Sequence, residues 1–289
     1  MHKKLVTGLV AMATVSGLIF TGSTAIAATA ISGKGSSFAA NAINYCAAHY
    51  DPASGDTVTY TSTGSGTGRT EFAAGNVAFA VADAGYSSGY PTSRYVNVPL
   101  LGGPVVFAYN KTAKKVPAGL KLDAATVSKI FKGTVAKWND KAIAALNKGV
   151  KLPNATINVY YRTSGSGTTA NLTNYLSQVV GSSEWVANSK DLLDSSDGVA
   201  GNSAGTLAST AKAKATSAVI ADMVSSDPYA FGYFDLSDAV SASVNQVALK
   251  NAQGEFIAPS AAAAAKFLNA QTTIKDSTNT LAGDATDGL

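Results

Sequence analysis

Arg162-Thr163-Ser164-Gly165-Ser166-Gly167-Thr168-Thr169 follows an apolar, strand-like run from Ile157 to Tyr161 and opens a helix-like segment, Ala170 to Val180. A strand, a Gly/Ser turn and a helix start make an anion site, because the first turn of a helix carries unpaired N–H groups and a partial positive charge. Glycine lets the backbone approach closely, hydroxyls add donors, and Arg162 adds a fork suited to two oxygens of one anion. The tetrapeptide recurs as Gly64-Ser65-Gly66-Thr67, after a second strand-like run, Thr57 to Thr61. Two copies suggest two jaws around one small ligand. A single turn of this kind is more often a flexible loop, so the repetition carries the reading.

Upstream, Ala30 to Ser32 reads as a short strand and Gly33 to Ser37 as a glycine and hydroxyl turn. Phe38, Ala42, Ile43, Cys46, Ala47 and Tyr50 then recur at helical spacing. Gly33-Lys34 is not a P-loop: Ala28 stands where that motif has glycine, and Gly35 where it has Ser or Thr. What remains is a third hydroxyl turn before a helix, with Ser37 positioned to donate. Val77 to Ala82 reads as a buried strand that delivers Asp83, either a ligand group or an Asx-turn or cap. Val96 to Tyr109 is the most apolar long stretch after the N-terminal segment, and Gly102-Gly103 before Pro104 marks a crossing between lobes with hinge freedom. Asp123 caps a predicted helix over 124–132 ended by Gly133, and Asp140 begins another that ends at Gly149. Asn202 to Thr206 opens a further helix-like stretch, and Ala230 to Phe234 reads as a strand. The tail from Lys275 lacks pattern and is expected to be loosely ordered.

The 289 residues, 46% apolar and 14% charged, have the composition of a folded protein with one large core or two modest ones. His2, Lys3 and Lys4 precede an apolar run from Leu5 to Phe20, and Ala25-Ile26-Ala27 has the form of a cleavage site, so residues 1–28 read as a secretory signal. Losing Lys3 and Lys4 leaves 20 basic against 18 acidic residues, a formal charge of +2 in place of +4. That is too weak for nucleic-acid binding. The loose group of lysines from Lys111 to Lys137 reads as a solvated face. Cys46 is the single cysteine, so no internal disulfide forms, and the expectation for it is a small core residue on a helix. After the signal, His49 is the only histidine. A serine hydrolase triad would depend on it, neither Gly-Ser-Gly turn has the G-x-S-x-G spacing, and zinc ligands are short. Catalysis is disfavoured by shortage of parts, and no cofactor or metal is expected.

As an ordered set these residues resemble the phosphate-binding proteins of bacterial ABC phosphate importers, within the periplasmic binding protein superfamily. The matching stretches are Gly33 to Phe38, Gly64 to Phe72, Ala82-Asp83, Pro99 to Val106, Ile130 to Asp140, Arg162 to Leu176, Gly201 to Thr206 and Phe231-Gly232-Tyr233. They span residues 30 to about 240, with a long insertion near 211–228. The resemblance implies an α/β fold of two lobes with a hinge and an interlobe cleft: lobe I over 29–101, lobe II over 102–270 and a polar tail over 271–289. It implies a non-catalytic, exported monomer, in a periplasm or at a cell surface, that closes on inorganic phosphate and delivers it to an ABC permease in the membrane. Residue by residue, the implied ligand contacts are Ser37, the Phe38 backbone, Ser65, Asp83, Arg162, Ser166, Gly167 and Thr168. Asp83 would accept the proton of hydrogen phosphate, which fully ionised sulfate does not have.

Two departures from the family pattern stand out. Ser164 occupies the position where the family motif has an Asp that steadies the arginine, so a more positive site is expected. The family's aromatic-Pro-Ile strand that returns to the first lobe is not found before Leu289, so a less stable first lobe is expected. The rival readings are a binding protein for another tetrahedral oxyanion such as sulfate or molybdate, a secreted phosphate-ester hydrolase, and a surface protein that has lost its ligand.

Overall fold

A computed structural model describes residues 28–53, 55–86, 89–111, 116–163, 165–192 and 207–270, with the short segments 274–275 and 280–281. The signal reading over 1–27, Ser164, the helix start at 202–206 and most of the tail lie outside these residues.

The chain opens with β1 (Ala30–Gly35), α1 (Ala40–Ala48), β2 (Thr57–Ser62), α2 (Ser65–Ala73) and β3 (Phe79–Val81), which form a parallel sheet ordered β2-β1-β3. Here β1 runs through the residues expected to form a turn. A side chain at Gly33 would meet the Phe79 ring at 2.2 Å, and one at Gly35 would meet the Val81 carbonyl oxygen at 2.0 Å. These glycines let β3 lie close against β1, and the turn starts at Ser36.

A second unit follows: β4 (Val105–Tyr109), β5 (Lys121–Leu122), α3 (Ala124–Phe131), α4 (Lys141–Leu146), β6 (Asn158–Arg162), α5 (Gly167–Val179), β7 (Lys212–Lys214), α6 (Ser217–Ser226), β8 (Ala230–Asp235), α7 (Leu236–Ser241) and β9 (Asn245–Gln246). Its five-stranded sheet has the order β7-β6-β8-β4-β9, with β4 antiparallel to both neighbours. Then come β10 (Ala248–Lys250), β11 (Phe256–Ile257) and α8 (Ala261–Ala270), of which β10 and β11 join β5 in a small sheet. In the tail, β12 (Ile274–Lys275) pairs with β13 (Thr280–Leu281), local order that the patternless sequence did not announce. The segment 211–228 is an edge strand and a packed helix of the main sheet.

Alternation along β4 and β8 divides the second core in two, as a pleated sheet requires. Phe107, Phe131, Trp138, Phe231 and Tyr233 pack on one face, while Val106, Ala108, Ile220, Val224 and Phe234 pack on the other. Helix starts follow the sequence signals: Asp123 accepts from the Thr126 N–H at 2.8 Å and Asp140 from that of Ala142 at 2.8 Å; Gly133, with φ of 76°, ends α3 as expected, but α4 stops at Leu146 with Asn147 as its C-cap, short of Gly149. Gly102 lies against α8, where an added side chain would meet Leu268 at 2.7 Å. Lys111, Lys121, Lys129 and Lys137 are exposed, as expected of a solvated face, but Lys132 is half-buried, packed over Trp185 and paired with Glu184.

The first unit is packed differently. Cys46 lies on α1 as expected, but it is exposed, not a core residue. Of α1 only Ala40 is buried; Ile43, Cys46 and Tyr50 border a cleft of about 1180 Å³ that is also lined by Phe79, Leu100 and Phe267. With open space in place of a packed partner, the helical periodicity of α1 does not produce burial. Among the described residues no helix is long and apolar enough to cross a membrane. The architecture is the two-lobed α/β fold expected.

Candidate anion site

The two Gly-Ser-Gly-Thr copies meet. The Gly66 N–H donates to the Gly165 carbonyl at 2.8 Å, and a Cβ on Gly66 would lie 2.9 Å from that oxygen. Gly167 is equally confined: its Cβ would meet Ser65 Oγ at 2.6 Å and Asp83 Oδ2 at 2.8 Å. Any larger residue would push the jaws apart, which is the physical reason for glycine at both places. Both copies open helices, α2 at Ser65 and α5 at Gly167, so two helix N-termini converge here.

Asp83 follows β3 and is half-buried. Its carboxylate accepts from the Ser36 and Ser65 hydroxyls, the latter at 3.3 Å, and its own N–H donates to Ser65 Oγ at 3.2 Å. From α5, the Asn171 amide donates to the Asp83 carbonyl at 3.3 Å and to that of Gly167 at 3.1 Å. Burial raises the Asp83 carboxyl above its ordinary value, against the opposing pull of the Ser36 and Ser65 hydrogen bonds and of Arg162.

Arg162 ends β6, with only 3% of its surface exposed. Nε and Nη2 both donate to the Ala215 carbonyl, at 3.2 and 2.8 Å, and Nη1 donates to Ser37 Oγ at 2.7 Å and Ser217 Oγ at 3.2 Å. Every acceptor is neutral. The two ion pairs among the described residues, Lys34–Glu71 and Lys132–Glu184, lie elsewhere. Burial lowers the Arg162 value, while Tyr233, Asp83, Asp235 and Asp238 favour its charge from a distance. The Tyr233 hydroxyl accepts from the Arg162 N–H at 3.2 Å and shares a hydrogen bond with Thr169 Oγ1 at 2.5 Å; burial pushes it up to about 12.

Ser37, Ser65, Asp83, Arg162, Gly167 and Thr168 thus gather where the two sheets' strand ends face each other. Ser166 is buried as the N-cap of α5, accepting from the Thr169 N–H at 3.1 Å. Thr168 Oγ1 is buried with no hydrogen-bond partner. Phe38 turns its half-buried ring to the apolar cleft, whose lining also includes Asp83. Sequence reasoning missed Ser36, Ala215, Ser217 and Asn171. Ser36 sits beside Ser37 in the hydroxyl turn, and Thr216 before Ser217 has the form of a helix start, with its hydroxyl accepting from the Val219 N–H at 3.3 Å. Among the described residues no three His, Cys, Asp or Glu side chains gather to hold a metal.

Comparison with known proteins gives the family. A phosphate-binding protein PstS of Xylella fastidiosa is 33% identical over 234 residues, covering 80% of this chain and 60% of its own. One from Haemophilus influenzae is 32% identical over 238 residues, covering 81% and 66%. The chain therefore spans under two thirds of the length of these relatives. In fold, it is similar to a phosphate-binding protein from Stenotrophomonas maltophilia, with a TM-score of 0.57 and 22% identity over 77% of this chain and 65% of that one. It is also similar to the phosphate-binding protein PfluDING, with a TM-score of 0.59 and 20% identity over 83% and 68%. The model of the PBP superfamily domain matches residues 22–286, and the chain belongs to that superfamily, the periplasmic binding proteins.

Proposed function

We propose that this chain is an exported, non-catalytic solute-binding protein that captures inorganic phosphate for an ABC importer. The observation that carries this reading is Arg162, a guanidinium buried among neutral oxygens. A buried cation without a direct ion pair is costly, and an anion held against it offsets that cost. Around it stand the hydroxyls of Ser37, Ser65 and Ser217, the unpartnered Thr168 Oγ1 and the first turns of α2 and α5, which are donors for a small tetrahedral oxyanion.

Asp83 narrows the ligand. An acceptor carboxylate in the same cage needs a ligand that brings a proton, as hydrogen phosphate does and sulfate does not. Two facing acceptors without a proton leave buried polar groups unpaired, and discrimination on that basis reaches about 10⁴-fold. In this reading lobe I comprises 29–101 and lobe II 102–270, and closing them buries the anion between the Gly-Ser-Gly-Thr turns. The protein acts as a monomer and hands the anion to a membrane permease. The names of the relatives, phosphate-binding protein PstS, support the choice of ligand.

Calorimetry on anion-stripped protein, titrated with phosphate and then sulfate near neutral pH, tests this. Micromolar or tighter heat from phosphate with none from sulfate is expected. Equal heats from both would remove Asp83 from the mechanism, and no heat from either would remove phosphate capture.

A further inference from the structure

We infer that Ser217, at the start of α6, is a positioning residue for Arg162, holding the guanidinium in the orientation that an anion needs; the inference rests on the phosphate reading above. The arginine has to be fixed, because an arginine fork is useful only when its plane is set. Its hydrogen-bond acceptors here are all neutral. Two of the fork's edges are spent on one carbonyl, Ala215, and Nη1 divides its hydrogens between Ser37 and Ser217.

Ser217 ties these groups together. Its Oγ accepts from Arg162 Nη1 and from the Ser37 hydroxyl, each at 3.2 Å, and its N–H donates to Ser37 Oγ at 3.3 Å. Accepting twice leaves its own hydroxyl hydrogen outside both contacts. Ser37 comes from the turn after β1 and Arg162 from the end of β6, so Ser217 is the common point of a contact between the two sheets. It is also fixed in place. Ser217 is fully buried, it is the first residue of α6, the Thr216 hydroxyl caps that helix, and Ile220, Ala221 and Val224 bury the same helix against the sheet. A rigid helix start thus presents a neutral hydroxyl to the guanidinium. Among the described residues Arg162 has no direct ion pair, and the carboxylates that favour its charge act from a distance.

Two readouts on the full chain separate this inference from the phosphate reading. The first is phosphate affinity by calorimetry in a double-mutant cycle of Ser217→Ala with Arg162→Lys, with Ser217→Thr as the hydroxyl-keeping control. Ser217→Ala is expected to weaken binding about 5- to 10-fold, the range of one ordinary intramolecular hydrogen bond, and Ser217→Thr by less. In the Arg162→Lys background, where the fork is gone, the same serine change is expected to cost under about twofold, because Ser217 acts through the fork. The second readout needs no ligand. The Arg162 Nε–H signal in a nitrogen-resolved NMR spectrum, assigned by its loss in Arg162→Lys, is expected to shift and exchange faster in Ser217→Ala while the backbone spectrum is kept. If that signal responds but wild type gives no phosphate heat, the positioning role stands and phosphate capture falls. An unchanged signal in Ser217→Ala, or equal losses of affinity in both backgrounds, would overturn the positioning role.

Discussion

The two sheets share one architecture of strand, turn and helix, yet they are held together in different ways. In the five-stranded sheet both faces are covered, and Phe107, Phe131, Trp138 and Phe231 form a continuous aromatic layer with ring centroids 5.6 to 6.3 Å apart. In the β2-β1-β3 sheet the strands are half-buried and α1 borders an open apolar cleft. The candidate anion site draws on both. Arg162, Ser166, Thr168 and Tyr233 stand on the packed sheet, whereas Ser36, Ser37, Ser65 and Asp83 hold their places chiefly through hydrogen bonds to one another and across to α5 and α6. Packing fixes one jaw, and polar contacts fix the other.

The largest expected effect is a test of that asymmetry. Phe231→Ala empties a site with no exposed surface and is expected to cost about 3–5 kcal/mol of stability. Phe79→Ala, in the half-buried β3 where the ring stacks on Tyr60 at 6.0 Å, is expected to cost less than half of that. Urea unfolding of both variants measures the difference, and equal losses would mean that the first sheet is as firmly packed as the second. Next in size are the charged groups, one from each jaw. Arg162→Ala and Asp83→Ala are each expected to weaken phosphate binding by about 1.5–3 kcal/mol, the range for charge-assisted hydrogen bonds. Calorimetry that finds both affinities unchanged would dismiss the assigned site.

A smaller effect lies on the seam between the sheets. Asp238 of α7 accepts from the Asn41 amide of α1 at 3.0 Å. Burial, then the hydrogen-bonded and charged neighbour Asp235, pushes its carboxyl from 3.8 up to about 7. An acid whose value is raised on folding holds its proton better folded than unfolded. Its contribution is therefore complete below the ordinary value of 3.8 and declines as pH rises to about 7. Asp238→Asn is expected to match wild type near pH 4, to exceed its stability above pH 7, and to flatten the slope between. The Asp83 carboxyl is also raised, so some slope stays. Thermal melts across that range check the sign, and a variant less stable than wild type at pH 8 would contradict it.

Much of this was legible in the sequence where a local signal and the tertiary demand coincide. Asp123 and Gly133 bracket α3 as an N-cap and a terminator should, and the repeated Gly-Ser-Gly-Thr foretold two helix starts, which meet in the fold. The strand before Asp83 was readable too, although it is shorter and less buried than its apolar residues suggest. Legibility failed where a partner decides. Gly33 and Gly35 look like turn residues until β3 is laid against them, and Cys46 looks like a core residue until the space beside α1 is seen. Ser217 was invisible for the same reason, since its role depends on Arg162, 55 residues away in the chain.

The smallest perturbation probes the open side directly. Cys46 on α1 is exposed beside the apolar cleft, so its thiol is expected to react with a disulfide reagent in native buffer at nearly the rate seen in denaturant. Cys46→Ser is expected to change stability by no more than about 0.5 kcal/mol, as for a surface substitution. A thiol that labels only on unfolding would show that the cleft is covered in solution, and the contrast between the two sheets would then be one of local packing chemistry, with no difference in how completely each is enclosed.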